Sequence, residues 1–218
     1  MTVEKKRNET IVRDLAEAVR VHDERALHEL FDDASTSGIT APEVRRALIG
    51  GLEEVRQNLM SNDASIPDFL LSLDRVTEGL GRLSRFRGYD RSSVEDTTVV
   101  IGVVEGDPHD LGKNVIAGIY RAYGYRVFDL GHEVSQEAFV KATVRESAEV
   151  LALSAMMSTT MVVMRDIIGE VRVKSPGTLI IVGGAPLNEV LALSYGADGY
   201  AESALTVLEE TERLMAGS

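Results

Sequence analysis

The sequence predicts two structural classes in tandem, an all-α helical bundle followed by an α/β domain built on a five-stranded parallel sheet. Up to about residue 83, apolar residues recur at intervals of three and four; after residue 97, short β-branched runs alternate with helical stretches five times. The length of 218 residues and the 44% hydrophobic content are enough to bury either one large core or two small ones.

The helical elements follow in order. Ile11, Leu15 and Val19 form a first stripe, and Leu27, Leu30 and Phe31 a second. A third, Val44, Leu48, Leu52, Val55 and Leu59, is opened by "TAPE", in which Thr40 and Glu43 have the spacing of a capping box. Phe69, Leu73, Val76, Leu80 and Leu83 form the fourth, starting near Pro67. Helices with one apolar stripe each must bury it against one another, so residues 1–83 are expected to form a four-helix bundle.

The stretch "SRFRGYDRSSVED", residues 84–96, has no period and reads as a linker; the arginines there and just before it (Arg82, Arg85, Arg87, Arg91) need be no more than solvated charges. Strand candidates then fall at 97–104, 126–131, 150–155, 178–184 and 198–203. They alternate with helices expected near 114–123, 135–147, 158–173, 187–195 and 204–216. Such alternation implies a parallel sheet covered on both faces, a flavodoxin/Rossmann-like domain over residues 97–218. Ligands of such sheets sit beyond the carboxyl ends of the strands, at the switch in strand order. The loops that end the strands are therefore where chemistry is expected.

Composition excludes several classes. A formal net charge of −12 is the wrong sign for a phosphate-backbone binder, so nucleic acid is not an expected partner. With no cysteine there are no disulfides, thiolate nucleophiles or thiolate metal sites. The opening "MTVEKKRNET" lacks the apolar core of a signal peptide, and no apolar run is long enough to span a bilayer. A cytoplasmic protein without membrane partners is expected.

The first strand-end loop is "EGDPHDLGKN", residues 105–114, in which His109 lies between Asp107 and Asp110. The other histidines, His22, His28 and His132, form no metal-ligand pair with it in sequence. His109 is then either an ordinary residue near a helix N-cap, or the ligand of a metal that brings most of its ligands with it, as a tetrapyrrole-like cofactor does. On the second reading Asp107 takes the other ring N–H and fixes the tautomer, while Gly112 allows close backbone approach. The third strand ends in "SAMMST", with Ser154 and Ser158 at the same edge; the fourth ends in "GGAP", where Gly183 and Gly184 leave a floor without side chains.

These residues resemble those of the cobalamin-binding (corrinoid) proteins of methyltransferase systems. The D-x-H-x-x-G motif of that family is met by Asp107, His109 and Gly112, with Pro108 where isoleucine is usual and Asp110 and Leu111 completing the segment. The S-x-L motif appears as Ser154-Ala155-Met156, methionine replacing leucine at similar volume. The G-G motif is Gly183-Gly184, and "GADGYAESA" (196–204), with Ala201 and Glu202, is similar to the last strand and helix start. The resemblance implies cobalamin bound base-off, with His109 as lower axial cobalt ligand and Asp107 tuning it. The displaced nucleotide tail would lie near Ser154, Ser158 and the Gly183-Gly184 floor. Residues 51–69 are similar to the helical cap that shields the upper corrin face; on that register the covering residues are Leu59 and Ile66, which could equally be bundle core.

What the resemblance implies is a non-catalytic methyl carrier, since neither half offers an acid–base or nucleophile constellation of its own. Its partners would be a substrate-specific methyltransferase, an acceptor methyltransferase and a reductive activase, reached by opening about residues 84–96. The cobalamin subunit of an adenosylcobalamin mutase is disfavoured by the bundle, and a cobalamin-based sensor by the lack of a basic recognition helix. A flavodoxin-like signalling domain without corrin, with Asp107 or Asp129 as phosphoacceptor, is the remaining alternative.

Overall fold

In the computed structural model, which describes residues 3–89 and 97–217, the change of hydrophobic period near residue 90 coincides with a change of architecture. The chain forms two compact units, residues 1–93 and 94–218. In the first, α1 (Val3–Arg20), α2 (Glu24–Thr36), α3 (Ala41–Met60) and α4 (Ile66–Gly81) pack on one another. Their stripes are the core: Leu15, Val19, Leu27, Val44, Leu48, Leu52, Phe69 and Val76 are buried. The Thr40–Glu43 spacing acts as read, the Glu43 carboxylate accepting from the Thr40 N–H at 2.8 Å and from its hydroxyl at 2.6 Å. Ser65 and Asp68 repeat the device at the start of α4. Both bundle histidines are used locally. His22 contacts Ser72 at 3.0 Å, and His28 contacts Glu78 and Arg82.

The expected linker is only partly outside this unit. Leu83–Arg85 form a 3-10 turn, Phe86 is buried with its ring edge-on to Phe31 at 5.8 Å, and Arg87 bridges to Thr40. Nor is Arg82 a merely solvated charge, since it pairs with Glu78. Phe86 extends the stripe that ends at Leu83 past the point where arginines obscure it. Residues 90–96, including Arg91, lie outside the described residues.

The second unit is a five-stranded parallel sheet of order β2-β1-β3-β4-β5, with β1 Thr98–Val103, β2 Arg126–Asp129, β3 Val150–Ser154, β4 Leu179–Gly183 and β5 Gly199–Ala201. The helices are α5 (Leu111–Ala122), α6 (Gln136–Arg145), α7 (Met161–Lys174), α8 (Glu189–Ser194) and α9 (Val207–Ala216). Strand β1 is buried throughout, as a strand covered on both faces must be. The chain runs outward from β1 to β2 and then returns to β3 on the other side of β1, so the switch in strand order lies between β1 and β3. The register aligns Val103 with Ser154, Ser154 with Gly183, and Gly183 with Ala201, one row across the carboxyl ends of four strands. The expected elements are all present. The one boundary that matters for the site is that of α5, which starts at Leu111 with Asp110 as its N-cap, so Leu111 and Gly112 belong to its first turn.

Two adjacent glycines of α3 test the packing of the helical unit. A Cβ on Gly51 would sit 2.4 Å from the Ala16 carbonyl oxygen of α1, whereas one on Gly50 would meet nothing within 4 Å. In urea unfolding, Gly50→Ala is expected to stabilise by up to about 1 kcal/mol through helix propensity. Gly51→Ala is expected to destabilise by roughly 1–3 kcal/mol, because α1 must move away.

Candidate functional site

The site is assembled where the switch in strand order puts it, from the loops after β1 and β3. Asp107 is fully buried, and both of its oxygens are engaged. Oδ1 accepts from the His109 backbone N–H at 3.1 Å and stands 2.8 Å from His109 Nδ1. Oδ2 accepts from the backbone N–H groups of Met156 and Met157 at 2.6 and 3.1 Å, and from the Thr160 hydroxyl at 2.9 Å. Burial alone would raise the Asp107 pKa. The hydrogen bonds from Met156, His109 and Thr160 outweigh it and hold the carboxyl down at about 2.

An ionised carboxylate can only accept, so Nδ1 of His109 carries the proton facing Asp107. In the neutral ring this leaves the lone pair on Nε2. The His109 side chain is 57% exposed, so the donor nitrogen is presented rather than buried. One feature is absent from the sequence reading: the same carboxylate staples the β1 loop to the β3 loop.

The remaining predicted residues divide into three groups. Pro108 is exposed beside His109, Asp110 holds the N-cap position of α5 without a side-chain cap hydrogen bond, and Leu111 is 66% exposed at its first turn, where a Cβ on Gly112 would meet open space. Ser154, Gly183 and Ala201 lie on the strand-end row, while Ser158 and Glu202 are exposed in the loops beyond it. Met156 contributes its backbone N–H to Asp107, and its side chain is 44% exposed. Gly184 has φ +132°, and a Cβ there would lie 1.7 Å from the Ala155 carbonyl oxygen, so the floor accepts glycine alone. Below the row is a cavity of about 20 Å³ between the sheet, α5 and α9, lined by Ile101, Ile116, Ser154, Gly183, Ala201 and Val207. Leu59 and Ile66 stand at the α3–α4 end of the helical unit. Leu59 is half-buried, but Ile66 is 60% exposed and so is not bundle core.

Sequence reasoning missed Thr160, Met157 and Lys113. Thr160 sends no local signal, because its partner is 53 positions away. Lys113 does send one: it shares a helical face with Ala117 and Tyr120, both fully buried, and it is itself only 2% exposed.

Asp107→Ala leaves the Met156 and Met157 N–H groups and the Thr160 hydroxyl without their acceptor. It is expected to destabilise the ligand-free protein by roughly 2–4 kcal/mol in chemical denaturation. The pH dependence has a definite sign. The folded pKa of about 2 lies below the ordinary 3.8, so the stabilisation is complete above about pH 4 and is lost as pH falls toward 2. Its size is on the order of 2–3 kcal/mol, and the acid limb of the stability profile should flatten by that amount in Asp107→Asn.

Comparison with known proteins places this geometry in a family. Residues 97–209 match the B12 binding domain. The chain is 30% identical over 213 residues to trimethylamine corrinoid protein 1 of Methanosarcina acetivorans, covering 95% of this chain and 98% of that one. It is 29% identical over 211 residues to a corrinoid protein of Desulfitobacterium hafniense (94% and 98% covered). Among solved structures, the methanol:cobalamin methyltransferase complex MtaBC of Methanosarcina barkeri contains a chain that superposes with a TM-score of 0.84 at 26% identity, covering 96% of this chain and 81% of that one. Among the described residues no helix is long and apolar enough to cross a membrane. The chain thus belongs to the B12-binding family and is a corrinoid-binding protein of methyltransferase systems.

Proposed function

We propose that the chain is a methyl carrier that binds its corrinoid base-off, with His109 Nε2 as the lower axial ligand, and passes a methyl group between partner methyltransferases. The observation that carries this reading is the Asp107–His109 pair, in which Nδ1 is fixed at 2.8 Å on a side chain that is more than half exposed, in a loop anchored to two strands. The residues present fit such a cofactor. One imidazole is offered to a metal that brings its other ligands, and on the neighbouring strand ends Gly184 occupies a position that no side chain could take. When bound, the corrinoid supplies the cobalt centre that accepts and releases the methyl group.

The chain's own contribution is orientation and shielding. Asp107 holds the ring and, being ionised, favours electron density on the imidazole. Thr160 and the Met156 and Met157 amides keep that carboxylate from turning away. Pro108, Asp110, Leu111 and Gly112 are the proposed corrin contacts around His109, while Ser154, Ser158, Gly183, Gly184, Ala201 and Glu202 are the proposed contacts of the displaced nucleotide tail. A cavity of about 20 Å³ holds no more than a water molecule, so a tail entering beside Ser154 requires α5 and α9 to part. Leu59 and Ile66 are the proposed shield of the opposite corrin face, Ile66 being exposed as that task requires. A substrate-specific methyltransferase, an acceptor methyltransferase and a reductive activase are the proposed partners. The similarity to a chain of a methanol:cobalamin methyltransferase complex supports the first of these.

Absorption and Co(II) EPR spectra with hydroxocobalamin, recorded on nitrogen-15-histidine-labelled protein beside equally labelled His109→Ala, test the reading. Wild-type protein is expected to show the superhyperfine coupling of one axial nitrogen-15, which the cofactor's own benzimidazole cannot supply. The variant should lose it and bind at least about tenfold more weakly, since even a residue that merely supports a ligand contributes that much. Identical spectra from the two proteins would overturn histidine ligation.

A further inference from the structure

Lys113 has no part in the reading above, yet its position is costly. It is 2% exposed and third in α5, where a positive charge opposes both burial and the helix dipole. Its Nζ donates to Asp129 Oδ1 and Oδ2 at 2.7 and 2.8 Å and to the Asn114 side-chain oxygen. Asp129 ends β2, with Arg121 3.8 Å from it, and its Oδ1 also accepts the Gly131 N–H at 2.9 Å. The Gly131 carbonyl in turn accepts the Val103 N–H at 3.0 Å, at the last residue of β1.

These contacts close a circuit. The loop that carries His109 leaves the sheet at Val103 and re-enters structure in α5. Its two ends are joined to each other through Lys113, Asp129, Gly131 and Val103. Asp107 pins the middle of the same loop to β3. A buried ion pair is seldom worth more to stability than apolar side chains of the same volume. What it adds here is a fixed distance and direction between the end of β2 and the first turn of α5.

We propose that Lys113 and Asp129 are a positioning pair for corrinoid ligation: they set the start of α5 and, through it, the aim of the His109 imidazole four residues earlier. The proposal rests on the reading of His109 as the cobalt ligand, and its test separates the two. The informative protein is the double variant Lys113→Met/Asp129→Leu, which replaces the pair by apolar groups and strands neither charge. It is to be titrated with hydroxocobalamin and, after reduction to Co(II), examined by EPR for histidine nitrogen-15 coupling beside wild type and His109→Ala, all three labelled with nitrogen-15 histidine, with stability followed by chemical denaturation.

The expected result is a denaturation midpoint near that of wild type, binding weaker by about tenfold or more, and altered nitrogen superhyperfine coupling. A merely structural pair would move stability and leave the coupling unchanged. If the double variant binds and couples as wild type while His109→Ala loses the coupling, the positioning role is overturned and histidine ligation stands. If His109→Ala keeps the coupling, ligation itself fails and the proposal falls with it. Should the double variant not fold, Asp129→Asn, which keeps an oxygen acceptor in place, is measured instead: weaker binding with altered coupling supports the pair, and wild-type behaviour overturns it.

Discussion

The α/β unit is organised around one buried carboxylate. Taking Asp107 out of water as an anion is expensive, and the structure offsets that cost with donors on both oxygens: two backbone N–H groups and a hydroxyl from the β3 loop, and the backbone and ring of His109. These donors come from the two strands that flank the switch in strand order. There the loops diverge beyond the Val104 N–H, which still donates to the Ser154 carbonyl at 3.1 Å. A single charge thus converts a gap in the topology into a defined surface, and the orientation of His109 is a consequence of it.

The rest of the site is arranged by simpler means. Parallel pairing sets Val103, Ser154, Gly183 and Ala201 on one row, so the small residues beneath the proposed tail site are aligned by backbone register rather than by side-chain contacts. The helices covering that row are held by their own features. Tyr120 of α5 meets Thr211 of α9 at 2.7 Å, a buried hydroxyl pair between the two helices that border the cavity. The helical unit has a comparable tie, the buried Ser72 hydroxyl of α4 donating to the Val19 carbonyl of α1 at 3.0 Å, beside its four apolar stripes and two acid-closed caps.

The fold was legible because periodicity reports burial directly: Val44, Leu48 and Leu52, or the run from Thr98 to Val103, can be read without knowing what they pack against. The Asp107–His109 pair was legible because its members are two residues apart. Thr160 and the Met156 and Met157 amides were not, since their tie to Asp107 spans some fifty positions and leaves no local pattern. The start of α5 was placed late because its opening residues, Leu111 and Gly112, are exposed and carry no stripe. Phe86 was lost to the linker because the arginines around it hide a single buried ring. Lys113 was legible in principle, as a charge on an apolar face, but its meaning depends on Asp129, which only the sheet brings near.

The floor at Gly184 has a consequence for how such a protein can vary over time. Its backbone angle and the Ala155 carbonyl oxygen each reject a side chain independently, so a replacement there has two faults to repair at once. Relief of the clash would require Ala155 to shift, and Ala155 is itself held to β4 by its N–H on the Gly183 carbonyl. A side chain at that position would strain its own backbone and displace the β3 loop together, so the cleft is kept only with glycine there.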